Sequence, residues 1–190
     1  SSPCIPIRAL KLHNCTGTLP GLILFARTDD DLMSAHQAQG KSHTYVTCPT
    51  NKSNLFLRVA KGHFATSHSH INYYIDVTTQ KSRLSEAKAV AKELVAAYQH
   101  NTIVDTVLCL DGTQVIGTCL ANELTKDGFA NMNAHQTIYV ITPEYTTGSQ
   151  IILRDNLAPM VKGKHVLILA ASSTTGYTVQ AAIEAINYYG

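Results

Sequence analysis

The chain has no tryptophan and few charges: Asp, Glu, Lys and Arg make up 15% of its 190 residues, with a formal balance of +2. A protein that grips nucleic acid needs a basic face against the phosphates, and this composition supplies none, so nucleic acid is not expected as a partner. No apolar run approaches the roughly 20 residues that cross a bilayer as a helix. The first residues also lack a basic region followed by an apolar one, so no membrane partner is expected. The five cysteines (Cys4, Cys15, Cys48, Cys109, Cys119) are odd in number and form no C-x-x-C pair. That favours reduced thiols and a cytoplasmic setting over a disulfide framework. Cys4, His13, Cys15 and Cys48 offer the atoms zinc prefers but not its spacing, so no metal site is expected. The nine histidines are scattered and read as surface or core residues.

A length of 190 residues suits one domain with a smaller appendage. Residues 1–60 read as an extension of unclear role. Within it, Ile5 to Leu12 and Leu22 to Ala26 are apolar enough for strands, and Asp29 to Gln39 opens with the acids expected at a helix start. Pro20-Gly21 and Cys48-Pro49-Thr50-Asn51 are turn signals. In residues 61–190, alternation from Ile71 to Val77 predicts a strand, and Ser82 to Tyr98 predicts a helix. Ser82 or Ser85 can cap that helix, and Leu84, Ala87, Val90, Ala91, Leu94 and Val95 form its apolar face. A strand over Ile103 to Leu110, a helix ending near Thr125 and a strand over Gln136 to Thr142 follow. In Pro143 to Asn156, Ile151, Leu153 and Leu157 alternate as in a short packed strand. The alternation of strands and helices predicts an α/β fold: a Rossmann-like parallel sheet flanked by helices, with ligand at the strands' carboxyl ends.

The stretch from Lys164 to Asn187 carries the chemistry. His165 to Ala171 is a short, branched apolar run that reads as a strand buried on both faces. Ser172, Ser173, Thr174, Thr175 and Gly176 form a hydroxylated loop, after which Val179, Ala182, Ile183 and Ile186 return at helical spacing. Free amides at a helix start, the helix dipole, nearby hydroxyls and a glycine all favour a phosphate at such a junction. Asp111-Gly112-Thr113-Gln114 repeats the strand, glycine turn and helix arrangement.

These segments resemble type I phosphoribosyltransferases, most nearly the orotate branch. Val166 to Leu169 and Thr174-Thr175-Gly176-Tyr177-Thr178 match the family's motif for phosphoribosyl diphosphate (PRPP). The motif's two acids, which hold the ribose hydroxyls, fall at Ala170 and Ala171. Gly112, Gly117, Leu120 and Ala121 match the pyrophosphate loop, whose lysine falls at Ile116. In Lys61 to Asp76, Ser67, His70, Tyr74 and Asp76 match the hood over the base.

The resemblance implies a hood segment at 61–80, a core at 81–190 and a base pocket near Phe64 and His63. It also implies phosphate binding by Ser172, Ser173, Thr174, Thr175, Gly176, Tyr177 and Thr178, and a pyrophosphate loop at Asp111, Gly112, Thr113 and Gln114. A homodimer follows from the same likeness. The expected ligand is a nucleoside monophosphate or PRPP. Binding needs no cofactor, and Mg²⁺ enters only with active transfer.

With Ala170, Ala171 and Ile116 neutral, and only Arg154 as a cation in Pro143 to Asn156, impaired catalysis is the leading expectation. Two alternatives stay open. One is an active divergent pyrimidine phosphoribosyltransferase in which Asp111 or Glu144, with Arg154 or Lys126, replaces the lost charges. The other is a nucleotide-sensing regulator on the same scaffold.

Overall fold

The computed structural model describes residues 8–12, 21–25, 45–49, 55–65, 70–146, 150–171 and 176–189. The expected helix at Asp29 to Gln39, the candidate ligands Cys4, His13 and Cys15, the hood residue Ser67 and the loop Ser172 to Thr175 lie outside them. In chain order, β1 (Arg8–Leu12) pairs antiparallel with β2 (Gly21–Phe25). Then β3 (Tyr45–Pro49), β4 (Phe56–Ala65) and β5 (His70–Asp76) form an antiparallel sheet in that order. Two helices follow, α1 (Thr78–Ser82) and α2 (Leu84–Tyr98).

The remaining elements alternate. They are β6 (Thr106–Cys109), α3 (Gln114–Leu124), β7 (Tyr139–Ile141), the small hairpin of β8 (Glu144–Tyr145) and β9 (Ile151–Ile152), α4 (Ala158–Val161), β10 (Val166–Leu169) and α5 (Tyr177–Tyr188). Strands β10, β6 and β7 form a parallel sheet in that order, with β6 at its centre. Parallel strands covered on both sides are near-continuous apolar runs, and every residue of β6 and β10 is buried.

The two faces separate by the two-residue period of a strand. Val107, Cys109, Leu167 and Leu169 join one core with Ala87, Val90, Ala91 and Leu94 of α2 and Ile116, Leu120 and Leu124 of α3. Leu108, Leu110, Val166, Ile168 and Ala170 join the other with Ile151, Leu153 and the α5 residues Val179, Ala182 and Ile186. Each buried leucine contributes on the order of 2 kcal/mol, so these two faces dominate the stability. Helices α3 and α5 therefore cover opposite faces of the sheet.

Several expectations shift in detail. Ser82 does not cap α2; its hydroxyl donates to the Thr78 carbonyl and closes α1, and the start of α2 has no side-chain cap. Leu84 is 55% exposed because it precedes the stripe that meets the sheet. The turn expected at Cys48-Pro49 is the end of β3. Proline is tolerated there because β3 is an edge strand whose outer amides need no partner.

Gly62 and His63 lie at an irregularity inside β4. The register passes from Lys61↔Tyr73 to Phe64↔Ile71, one extra residue on β4, which is a bulge. Strand β4 thus runs across the 60/61 division. Leu55, just before it, is buried in the core beside α2. The alternation in Pro143 to Asn156 holds: Ile151 and Leu153 are buried and Ile152 is exposed.

Asp105 and His165 clamp the amino ends of β6 and β10. The Asp105 amide donates to the His165 carbonyl at 2.9 Å, and the Asp105 carboxylate accepts from the His165 amide at 2.7 Å and meets its ring Nδ1 at 2.9 Å. Partial burial pushes the Asp105 carboxyl up. The His165 amide, the His165 ring and the charges of His165 and Lys164 outweigh that and hold it below the usual range. A carboxyl lowered by folding contributes stability that is complete above its unfolded value and is lost as pH falls through the folded one. Urea unfolding of Asp105→Asn against the parent is therefore expected to show a deficit at pH 7 that closes toward acid pH, as the carboxyl protonates below the usual aspartate value of about 3.9. An equal deficit at both ends would contradict the clamp.

Candidate functional site

At the carboxyl edge of the parallel sheet, the chain leaves β6 and β10 toward opposite faces. Two neighbouring parallel strands whose helices diverge in this way leave a crevice between them, the place where open α/β sheets bind ligands. One wall is the junction from β6 to α3, and the other is the junction from β10 to α5.

The first junction is tightly held. The Leu110 amide donates to the Leu169 carbonyl at 2.8 Å, extending the ladder one residue beyond the strands. The Thr113 hydroxyl, wholly buried, is shared between the carbonyls of Leu110 (2.7 Å) and Leu169 (3.1 Å). It ties the two strand ends together, so this member of the expected pyrophosphate loop faces the protein. Asp111 and Gly112 adopt successive left-handed conformations, with φ of 54° and 77°. Glycine adopts such a φ without strain, and aspartate tolerates it better than most residues. Gly112 and Gln114 are exposed and Asp111 is half-buried.

Two side chains from distant segments converge on this turn. The Lys81 ammonium donates to the Asp111 carbonyl at 2.8 Å, and the Asp111 amide donates to the Tyr145 hydroxyl at 3.4 Å. Neither residue stands out in the sequence. Lys81 sits in the polar Thr78 to Arg83 stretch, which reads as a connection, and its position depends on how α1 packs.

The second junction opens with Ala170 and Ala171, 0% and 3% exposed. Ala170 belongs to the core beneath α5, so an acid placed there would be buried rather than offered to a ribose. Ile116 likewise lies in the first turn of α3 and is buried in the core, so it is not a vacancy in an exposed loop. Past Ser172 to Thr175, Gly176 takes a φ of 81° and starts α5. Its carbonyl accepts the Gln180 amide at 2.9 Å, and the helical ladder leaves over the first-turn amides of Thr178 and Val179. Among the described residues nothing lies within 4 Å of a Cβ built on Gly176, and the Tyr177 side chain is 68% exposed.

The structure thus brings Asp111, Gly112, Thr113 and Gln114 to the same sheet edge as Gly176, Tyr177 and Thr178. Phe64 sits elsewhere, buried against Ala60 and Tyr74 in the antiparallel layer with its ring 5.8 Å from that of Tyr74. His63 is exposed on the same strand. Of the candidate replacement charges, Arg154 is engaged by Glu144, whose carboxyl it holds below the usual range through a hydrogen bond. Lys126 pairs with Glu123 at 2.6 Å beyond the far end of α3, away from the loop. At the end of β6, burial pushes the Cys109 thiol up to about 12, so it is no nucleophile. A separate cleft of about 630 Å³ lies between β9 and α5, lined by Ile152, Tyr177, Glu184 and Tyr188.

No protein-family model matches the sequence, and no curated protein matches it. Among solved structures, it is similar to Mycobacterium tuberculosis H37Rv orotate phosphoribosyltransferase in complex with Fe(III) dicitrate. The identity is 17%, the match covers 70% of this chain and 71% of that one, and the TM-score is 0.46. The same enzyme in complex with inorganic phosphate matches at 20% identity, over 70% of this chain and 68% of that one, with a TM-score of 0.43. Among the described residues, no helix is long and apolar enough to cross a membrane.

Proposed function

We propose that the chain is a phosphoribosyltransferase-like protein that binds a 5′-phosphorylated ribose ligand, a nucleoside monophosphate or PRPP, in the crevice between β6 and β10, with impaired transferase activity. The observation that carries this reading is the junction itself. Within a Thr-Thr-Gly-x-Thr sequence a left-handed glycine opens α5 at the carboxyl edge, beside a neighbouring helix that leaves on the opposite face. Phosphate is held there by first-turn amides and by the Thr178 hydroxyl.

Impaired catalysis follows from the core. Transfer from PRPP builds positive charge on the ribose ring, and oriented carboxylates that stabilise such charge are usually the largest catalytic contribution. Ala170 and Ala171 supply none and are packed inside the protein. A homodimer in the cytoplasm belongs to the same reading.

A second reading, an active divergent transferase, draws on Lys81, whose ammonium reaches the turn after β6, and on Asp111 of that turn. In that case Mg²⁺ accompanies the diphosphate. Asp111 offers the oxygen donors it prefers, and no group of three metal-ligating side chains occurs among the described residues, so the ligand's phosphates would complete its shell.

Calorimetric titration with uridine monophosphate and with uridine tests the phosphate junction. The nucleotide is expected to bind at least about tenfold more tightly, the margin of one charge-assisted contact set. Equal binding of the two, or none, would rule the reading out. A pyrophosphate-release assay with PRPP and orotate separates the two versions, with turnover near background expected for the impaired one.

A further inference from the structure

We infer that the cleft between β9 and α5 is a second ligand site, one that takes a small organic cation: a primary ammonium or guanidinium group on an apolar body of a few carbons. It shares Tyr177 with the phosphate junction at one end. The positive group belongs at the other end, so the inference does not depend on the phosphate reading.

The helix supplies one wall through its spacing. Tyr177, Ala181, Glu184, Ala185 and Tyr188 fall at i, i+4, i+7, i+8 and i+11, one stripe of α5, while Val179, Ala182 and Ile186 pack on the sheet. The two alanines are short, and the larger side chains around them leave a hollow. Strand β9 supplies the facing wall with Ile152, 42% exposed. The Tyr189 hydroxyl donates to the Leu153 carbonyl at 2.7 Å and ties the end of α5 to the end of that strand, so the cleft is already formed without a ligand. Its volume of about 630 Å³ is that of a small-molecule site and is too little for a folded partner.

The charge at the far end selects the ligand. Among the described residues that line the cleft, Glu184 is the one charged side chain. One of its oxygens accepts from the Gln180 side-chain amide at 3.2 Å, and no cation pairs with it among the described residues. The Tyr188 and Tyr189 rings meet edge to face, with centroids 5.2 Å apart and planes at 87°. In such a pair the ring that gives its edge keeps both faces, and an aromatic face attracts cations. The Asp155 carboxylate lies 3.3 Å from the Tyr189 hydroxyl. This end of the cleft is also the last turn of α5, the negative end of the helix dipole. Arg154, beside Asp155 in the chain, is engaged by Glu144. Acid, ring faces and dipole thus favour positive charge here, and Ile152, Ala181 and Ala185 favour a hydrocarbon body next to it.

Methyl NMR of the full chain, titrated with phenethylammonium, phenethyl alcohol and hydrocinnamate, tests this with three probes of similar size and different charge. On the parent, the ammonium is expected to move the Ile152, Ala181 and Ala185 methyls and to bind about tenfold more tightly than the alcohol, with the carboxylate weakest. Glu184→Gln should lower the preference for the ammonium by about threefold or more, and Tyr188→Leu should weaken the ammonium more than the alcohol. Equal binding of ammonium and alcohol, a Glu184→Gln protein that keeps the full preference, or shifts that leave the Ile152 and Ala185 methyls unmoved would overturn the inference. The methyl map and the charge preference are read on the parent alone, so a misfolded variant leaves the test intact. Whether uridine monophosphate binds plays no part in it, so the two sites stand or fall separately.

Discussion

Gly117→Ala is expected to lower the unfolding free energy by about 3 kcal/mol, the upper range for overpacking a well-filled core. Helix α3 crosses the sheet with Gly117 against β6. A Cβ added there would overlap the Cys109 sulfur and sit 3.4 Å from Val107 and 3.5 Å from Val140. The sulfur is buried at the sheet centre in a packed core, so turning it aside displaces its neighbours and the helix lifts instead.

The helix start would lift with it, because the Gly117 amide donates to the Thr113 carbonyl at 2.8 Å and Thr113 staples the two strand ends. The variant should therefore weaken nucleotide binding along with stability. In a Cys109→Ala background the obstruction is gone and the same substitution should cost about 1 kcal/mol, the intrinsic coupling of neighbouring sites making the two changes non-additive. Urea unfolding of the four proteins measures this. A Gly117→Ala protein within about 0.5 kcal/mol of the parent would mean that α3 does not approach β6 as closely as described.

Asn133→Ala should cost a similar amount, about 3 kcal/mol, through unsatisfied backbone rather than crowding. The wholly buried Asn133 side chain accepts the Val104 amide at 2.8 Å and donates to the Thr102 carbonyl at 2.8 Å, holding the segment that feeds β6. Its own amide donates to Asn131, whose side chain donates in turn to the Leu124 and Lys126 carbonyls at the end of α3. Truncation strands a donor and an acceptor in the interior, each worth about 1–3 kcal/mol. Asn133→Asp keeps the acceptor but sets a carboxylate against the Thr102 carbonyl. It should be at least as destabilising at pH 7 and recover in part on acidification, when the protonated acid can donate. Chemical unfolding at both pH values decides it, and a loss under about 1 kcal/mol for Asn133→Ala would contradict the assigned bonds.

The sheet and its helices were legible because their patterns are strong. The apolar stretches Ile103 to Leu110 and His165 to Ala171 read as strands, the second covered on both sides, and α2 and α5 show their stripes plainly. The runs outlast the ladders, however. Ile103 is exposed, while Ala170 and Ala171 leave the strand yet stay in the core, since burial extends beyond hydrogen bonding.

Less was legible in β4, where Lys61, Gly62 and His63 interrupt alternation because the strand bulges there. At the site, the glycines announced both turns. The buried roles of Thr113, Ile116 and Ala170 did not show, because a spacing match to a loop says nothing about which way a residue faces. Lys81 was silent for a different reason: its contact with Asp111 spans 30 residues and is made by tertiary packing alone.

The central claim is that a ligand's phosphate sits at the start of α5, at the carboxyl edge between β6 and β10. A crystal of the full chain soaked with uridine monophosphate addresses it directly. The account predicts phosphate density within hydrogen-bonding distance of the Thr178 and Val179 amides at the start of α5, with the sugar directed over the Asp111 to Gln114 turn. Phosphate density elsewhere on the molecule, with the α5 start empty, would contradict it.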